Sequence, residues 1–195
     1  MTSRDDILSR VRRNQPAARP LPAIPAFVPA QPPTFDAFRT SLARMGGKCA
    51  DVPAGGDLDA LVRALFPDAA VVASATPEVR GNRDLARVRA PKDLADVDVG
   101  VVRAAFGVAE TGSVWLSEAQ FQVNALGFLA QHLVVLLDPA AIVADMHAAY
   151  RHPGFVEAKY AVFMTGPSAT ADIEGILIHG AQGIRTLTVI PVSAP

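Results

Sequence analysis

Two short segments concentrate the residues able to do chemistry. The first, Phe106-Gly107-Val108-Ala109-Glu110-Thr111-Gly112-Ser113, sets a carboxylate and a hydroxyl between two glycines. Gly107 and Gly112 permit a tight bend and close backbone approach. Among small and apolar neighbours, Glu110 can bind a cationic or hydroxyl group, act as a general base, or attack an acyl group. A plainer role suits the same residues: Glu110 accepts from backbone amides and Thr111 caps the turn. The second segment, Thr165-Gly166-Pro167-Ser168-Ala169-Thr170-Ala171-Asp172-Ile173-Glu174, reads as a strand end, a glycine turn and a helix start. Such a junction aims free amides and a positive dipole end at a ligand, and Ser168 and Thr170 add hydroxyls. Asp172 and Glu174 in the first helical turn would repel a multiply charged phosphate. No lysine follows a glycine run, so the pattern is neither a Walker loop nor a dinucleotide fingerprint. A small carboxylate or a sugar-like hydroxyl compound suits the charge better, and capping by Ser168 or Thr170 explains the same residues without any ligand.

The remaining polar candidates carry less. His147 and His152 straddle no metal-ligand spacing, His132 precedes an apolar run, and His179 closes the expected last helix. Without an HExxH helix or a cysteine pair, no metal site is expected.

The elements that must position these segments follow from periodicity. Thr2 to Arg13 reads as a short amphipathic helix with Ser3 as N-cap, Asp5 and Asp6 in the first turn, and Ile7, Leu8 and Val11 on one face. Between Pro16 and Pro33 lie seven prolines, which exclude a helix or a central strand. Residues 1–33 are therefore expected to form a helix and an arm, and residues 34–195 a single α/β domain. In that domain Thr34 caps a helix through Leu42 that Gly46-Gly47 stops, a strand covers Lys48 to Val52, a helix Asp57 to Phe66, and a strand Ala69 to Ala73. Pro77 to Asp96 reads as loop or short surface helix. Strands are expected over Val97–Val102, Ser113–Ser117, Leu133–Leu137, Tyr160–Thr165 and Thr186–Val192. Helices are expected from Asp138-Pro139 through Tyr150 and from Thr170 to His179. Apolar strands without alternation, separated by helices, indicate a largely parallel sheet flanked by helices. In such sheets ligands bind beyond the carboxyl ends of strands, so the two bends are expected to face one crevice.

Composition narrows the function classes. The 195 residues carry 18 basic and 19 acidic side chains, half of them are apolar, and the net charge is -1. A folded domain follows, with no basic field for nucleic acid or an anionic membrane. Ala125 to Leu137 is too short to span a bilayer and is broken by Gln131 and His132, and the first residues lack an apolar signal region, so a cytoplasmic protein is expected. Cys49 is the single cysteine; alone it makes no internal disulfide and supplies no iron–sulfur or structural zinc site. Any such cofactor must sit on a partner.

Ala109-Glu110-Thr111-Gly112-Ser113 and Gly166-Pro167-Ser168-Ala169-Thr170-Ala171-Asp172-Ile173-Glu174 resemble two motifs of the lactate utilization protein C family, the LUD domain, in order, spacing and distance from the end of the chain. The helix and proline-rich stretch at the start are similar as well. His132 fits the histidine that opens the family's central strand, whereas Asn124 and Gln131 replace a common arginine and proline. The family's late G-V-H-G turn reads Gly180-Ala181-Gln182-Gly183 here, and Gln182 keeps hydrogen bonding but exchanges no proton near neutral pH. The resemblance implies a fold like the NagB/RpiA/CoA-transferase group and an accessory role in oxidising L-lactate to pyruvate beside iron–sulfur partner proteins. Under it, this chain binds no cofactor, and a small hydroxy- or keto-acid is the candidate ligand. Glu110 is the candidate catalytic group; Thr111, Gly112, Gly166, Ser168, Thr170, Asp172, His132 and Gln182 are candidate ligand contacts. Fold analogy leaves a second reading open: a stand-alone CoA or acyl transferase with Glu110 as nucleophile, or a small ligase whose nucleotide site would use Arg80, Arg83, Arg87 and Arg89.

Overall fold

A computed structural model of the chain describes residues 2–25, 33–172, 174–180 and 182–194. Helix α1, Ser3–Arg13, is capped by Thr2 rather than Ser3, with the Thr2 hydroxyl and the Asp5 carboxylate exchanging hydrogen bonds with each other's backbone amide. It buries no residue. The chain from Asn14 to Pro25 is exposed, and the rest of the arm to residue 32 lies outside the described residues.

Helix α2, Phe35–Arg44, starts at the Thr34 cap and buries Phe38 and Leu42. Strand β1, Lys48–Cys49, is shorter than the expected Lys48–Val52. Helix α3, Leu58–Leu65, is capped by Asp57, and β2 covers Val72–Ser74. The stretch from Pro77 to Asp96 contains two short 3-10 turns, Leu85–Arg87 and Pro91–Leu94. Strands β3, Val99–Arg103, β4, Phe106–Val108, and β5, Ser113–Ser117, lead into the single-turn helices α4, Glu118–Phe121, and α5, Leu126–Leu129. Strand β6, His132–Leu137, follows.

The expected helix from Asp138 to Tyr150 is replaced by three pieces. Asp138 and Pro139 start only a 3-10 turn, Ile142–Val143 forms β7, and Asp145 caps the short α6, Met146–Tyr150. The β-branched pair is drawn into parallel pairing with β4, which would otherwise present an open edge. Beyond α7, Gly154–Glu157, and β8, Ala161–Met164, the expected helix from Thr170 to His179 is a hairpin instead. Strands β9, Ala169–Thr170, and β10, Ile178–His179, pair antiparallel. Glu174 at φ 53° and Gly175 at φ 72° sit where the helix would need regular dihedrals. The last strand, β11, covers Thr186–Pro191.

The fold is α/β with two main sheets. Five parallel strands run in the order β1-β11-β6-β3-β2. Four further strands, ordered β7-β4-β5-β8, form a mixed sheet rather than extending the first one. Strand period two divides the core between the faces of the parallel sheet. Val99, Val101, Val134, Leu136 and Ile190 pack with Val62 and the partly buried Leu58 and Leu61 of α3, while Val102, Leu133, Val135, Leu137, Leu187 and Val189 pack with Phe38, Leu42 and Leu126 on the other side. That second layer also takes in Val114 and Leu116 of β5, so α2 and α5 are sandwiched between the sheets. The outer face of the mixed sheet buries Phe106, Trp115 and Ala149. Among the described residues, no helix is long and apolar enough to cross a membrane.

Candidate functional site

The β4–β5 connection carries the first predicted bend as a hairpin turn, Ala109–Gly112. Glu110 is exposed there. Its amide donates to the Ala144 carbonyl, and its Oε2 accepts from the Met146 amide at 3.0 Å, the first residue of α6. The carboxylate therefore meets the positive end of a helix, tying hairpin to helix. Thr111 Oγ1 bonds Ser113 Oγ at 2.8 Å and accepts from the Ser113 amide at 3.3 Å. These are the amide-binding and turn-capping roles that compete with a catalytic one.

The second bend follows β8, and Thr165 Oγ1 donates toward the carbonyls of Thr111 and Gly112, at 3.3 and 3.2 Å. The two bends thus touch. What lies between them is the end of α2. Gly112, at φ 67°, sits so close to that helix that a Cβ would overlap the Leu42 amide nitrogen; Gly166, at φ 65°, is similarly pressed on the Met45 carbonyl. Because Met45-Gly46-Gly47 leads straight into β1, the paired bends clasp α2 at the amino edge of the parallel sheet, not its carboxyl edge. They do not open into a common crevice. With no helix after Thr170, no bundle of free amides is aimed outward either: the Ser168 amide donates to Ile184 and its carbonyl accepts from Gly180.

Gly166 and Ser168 line a groove of ≈ 230 Å³ with Phe128, Met164, Thr165 and Gln182. Gln182 is exposed on its rim. Thr170 and Asp172 bond each other at the exposed hairpin, Oγ1 to Oδ2 at 2.7 Å, outside the groove. Glu110, Thr111 and Gly112 do not line it. His132 begins β6 and opens onto a different recess of ≈ 420 Å³ with Phe66, Asp68, Asp98 and Arg185. Its ring stacks on Phe66 at 4.7 Å, and Nδ1 meets Thr186 Oγ1 at 2.8 Å. Burial, then the nearby Arg185, holds the imidazole below its ordinary pKa against the opposing pull of Asp98.

The carboxyl edge of the parallel sheet holds a cleft that sequence reasoning missed. Its ≈ 440 Å³ is bounded by residues just after β2, β3, β6 and β11, with Thr76, Glu78, Arg103, Gln120 and Asp138 as its polar lining. Arg103 and Glu78 form an ion pair with side chains 20% and 19% exposed; Glu78 Oε1 takes Arg103 Nε at 2.6 Å and lies 2.5 Å from Nη2. Nη1 donates to the Val192 carbonyl at 3.1 Å. Asp138 is held below the usual carboxylate range by amide hydrogen bonds from Ala140 and Ala194. The available signal was Arg103 itself, a charge closing a buried apolar strand. Among the described residues, no group of three or more His, Cys, Asp or Glu side chains is placed to hold a metal ion.

Comparison with known proteins places this arrangement. The family model described as LUD domain matches residues 70–192, a span that holds both bends and most of the cleft. A protein of Shouchella clausii named lactate utilization protein C is 29% identical over 107 residues, covering 52% of this chain and 46% of that protein. An uncharacterized protein of Neisseria meningitidis serogroup B is 28% identical over 102 residues, covering 51% and 44%. The matches thus cover a little under half the length of these curated relatives. A crystal structure of a DUF162 family protein from Deinococcus radiodurans superposes with a TM-score of 0.62 over 81% of this chain and 95% of that one, at 20% identity, and attests the fold.

Proposed function

The chain belongs to the LUD domain family, and from that premise we propose that it is an accessory subunit of a cytoplasmic L-lactate oxidation system, acting beside iron–sulfur proteins. The observation that carries the reading is the similarity to lactate utilization protein C over about half of this chain, beside a LUD-domain match that spans both bends. The chemistry of this chain's own donors supports the division of labour. Oxidising lactate to pyruvate removes two electrons and two protons, one hydrogen leaving the hydroxyl-bearing carbon and the other its hydroxyl oxygen, and the electrons need an acceptor. Cys49 is the single cysteine, and burial pushes its thiol up to about 11, against the lowering effect of Arg39. One thiol held in its protonated form does not build a cluster. The iron–sulfur carriers are placed on partners, and this chain contributes binding and positioning.

No observation favours the stand-alone transferase, because the Glu110 carboxylate is engaged with the Met146 amide. The arginines of the ligase alternative include Arg83, which is paired with Asp96.

The test is recovery of a tagged copy expressed at its native level in its source organism, with iron content and visible absorbance read on the co-purifying proteins. Cysteine-rich iron–sulfur proteins are expected with it, together with loss of growth on L-lactate when its gene is removed. Repeated recovery without such partners, or undiminished growth, overturns the proposal.

A further inference from the structure

Strand β8 closes the mixed sheet with an edge that nothing among the described residues pairs. The Glu118 amide donates to the Tyr160 carbonyl, and with the register from Ser117↔Ala161 to Val114↔Met164 the antiparallel alternation turns Tyr160, Val162 and Met164 toward β5. The amides and carbonyls of Ala161 and Phe163 therefore point the other way, and neither residue has a backbone hydrogen-bond partner among the described residues. The other edges are guarded. Strands β1 and β7 are two residues long, β1 carries Lys48, and the amides of Asn82 and Arg83 cap the Val72 carbonyl at the rim of β2. None of these devices protects β8: from Tyr160 to Thr165 the chain has no charge and no proline, and its register carries no bulge. Its surroundings are apolar as well. Tyr150, Val156 and Tyr160 leave 61%, 90% and 37% of their surface exposed, and a groove of ≈ 330 Å³ is lined by Ala161 and Phe163 together with Trp115, Tyr150 and Phe155.

We propose that β8 is a dimer seam, paired antiparallel with β8 of a second copy so that the two four-stranded sheets become one. Two-fold symmetry about Val162 sets Ala161 opposite Phe163 of the other copy, each such pair exchanging both its N–H···O bonds. The same register places a large ring against a small side chain on the outer face, where the groove receives it. Charge permits the pairing. No residue from Tyr160 to Ala171 is charged, so Lys159 meets Thr165 of the second copy and no like charges oppose each other. The chain's own spare segment suits the edge poorly, because seven prolines between Pro16 and Pro33 remove donors that a ladder needs. Tyr150, Val156 and Tyr160 supply apolar surface toward the roughly 800 Å² per copy of a standard interface. The seam needs only the strand and its neighbours, and it stands whether or not the chain serves lactate oxidation.

The test measures the mass of the full chain in solution by light scattering, together with hydrogen exchange at the Phe163 amide. At micromolar concentration the mass is expected to be twice 20.5 kDa. Ala161→Lys sets a charge against the Phe163 ring across the seam, and Ala161→Pro removes the outward amide. Residue 161 is exposed and its amide is unused within the chain, so both variants are expected to keep the wild-type far-ultraviolet dichroism and cooperative urea unfolding while running as monomers. The Phe163 amide is expected to exchange at least about tenfold more slowly in the wild type than in either variant. A wild type that stays monomeric, a dimer whose Phe163 amide exchanges freely, or a dimer that survives both substitutions overturns the seam. Slow exchange of Phe163 in a monomer overturns it as well, since a segment of the same chain would then cover the edge.

Discussion

Gly112→Ala isolates the claim that the first bend serves to seat α2. A methyl there would overlap the Leu42 amide nitrogen and stand 2.5 Å from its Cα and 2.6 Å from the Ser41 carbonyl carbon. These are backbone atoms of a helix whose Phe38 and Leu42 are fully buried, so relief requires lifting the helix rather than turning a side chain. Two costs add. A non-glycine residue at φ 67° costs about 1–2 kcal/mol, and overpacking about 1–3 kcal/mol, giving roughly 2–5 kcal/mol against a typical domain stability of about 5–15 kcal/mol. Gly55 supplies the control: its φ is 70°, but an added Cβ meets nothing within 4 Å, so Gly55→Ala carries only the backbone cost. Urea unfolding can be read from Trp115, the single tryptophan, which is 3% exposed and stacked on Phe106 at 5.3 Å. With a slope of about 1–3 kcal/mol/M, the excess loss in Gly112→Ala over Gly55→Ala corresponds to a midpoint lower by about 1 M. Equal midpoints for the two variants would refute the clasp.

Glu110→Ala should cost about 0.5–2 kcal/mol through loss of the bond to the Met146 amide, whereas Glu110→Gln retains an acceptor and should stay within about 0.5 kcal/mol; urea unfolding of both variants checks this. Arg103→Leu strands the Glu78 carboxylate in the cleft and is expected to destabilise by about 3–5 kcal/mol, much of it recovered when Glu78→Gln is added, as a double-mutant cycle would measure. The imidazole of His132 is held below its ordinary 6.5, so between the folded and unfolded values the unfolded chain binds more protons. Stability from this group is therefore complete above about 6.5 and falls as pH drops through that window; unfolding midpoints of His132→Gln should show a shallower acid dependence. The Cys49 thiol, raised to about 11, should react with iodoacetamide at pH 8 far more slowly in the folded chain than in urea, by mass spectrometry.

Much of the central sheet can be read from the chain itself. His132–Leu137 and Thr186–Pro191 are runs whose every second residue has a buried face to fill, and Thr34 and Asp57 announce α2 and α3 through their side-chain oxygens. Errors arise where a distant partner decides. Ile142-Val143 became a strand because β4 lay within reach, and Ala169-Thr170 paired with Ile178-His179, neither of which periodicity reveals. The bends were found correctly as bends, but a glycine reports close approach without naming what approaches; at Gly112 and Gly166 it is the α2 backbone. The cleft escaped notice because Thr76, Arg103, Asp138 and Ala194 are gathered only by the parallel strands ending side by side.

The central structural claim, that both bends serve to seat α2 at the amino edge of the parallel sheet, is most directly tested by a crystal structure of the chain. The account predicts Gly112 and Gly166 pressed on the Leu42 and Met45 backbone, with the Glu110 carboxylate on the Met146 amide. Bends that stand away from α2 and open into one shared crevice would contradict it.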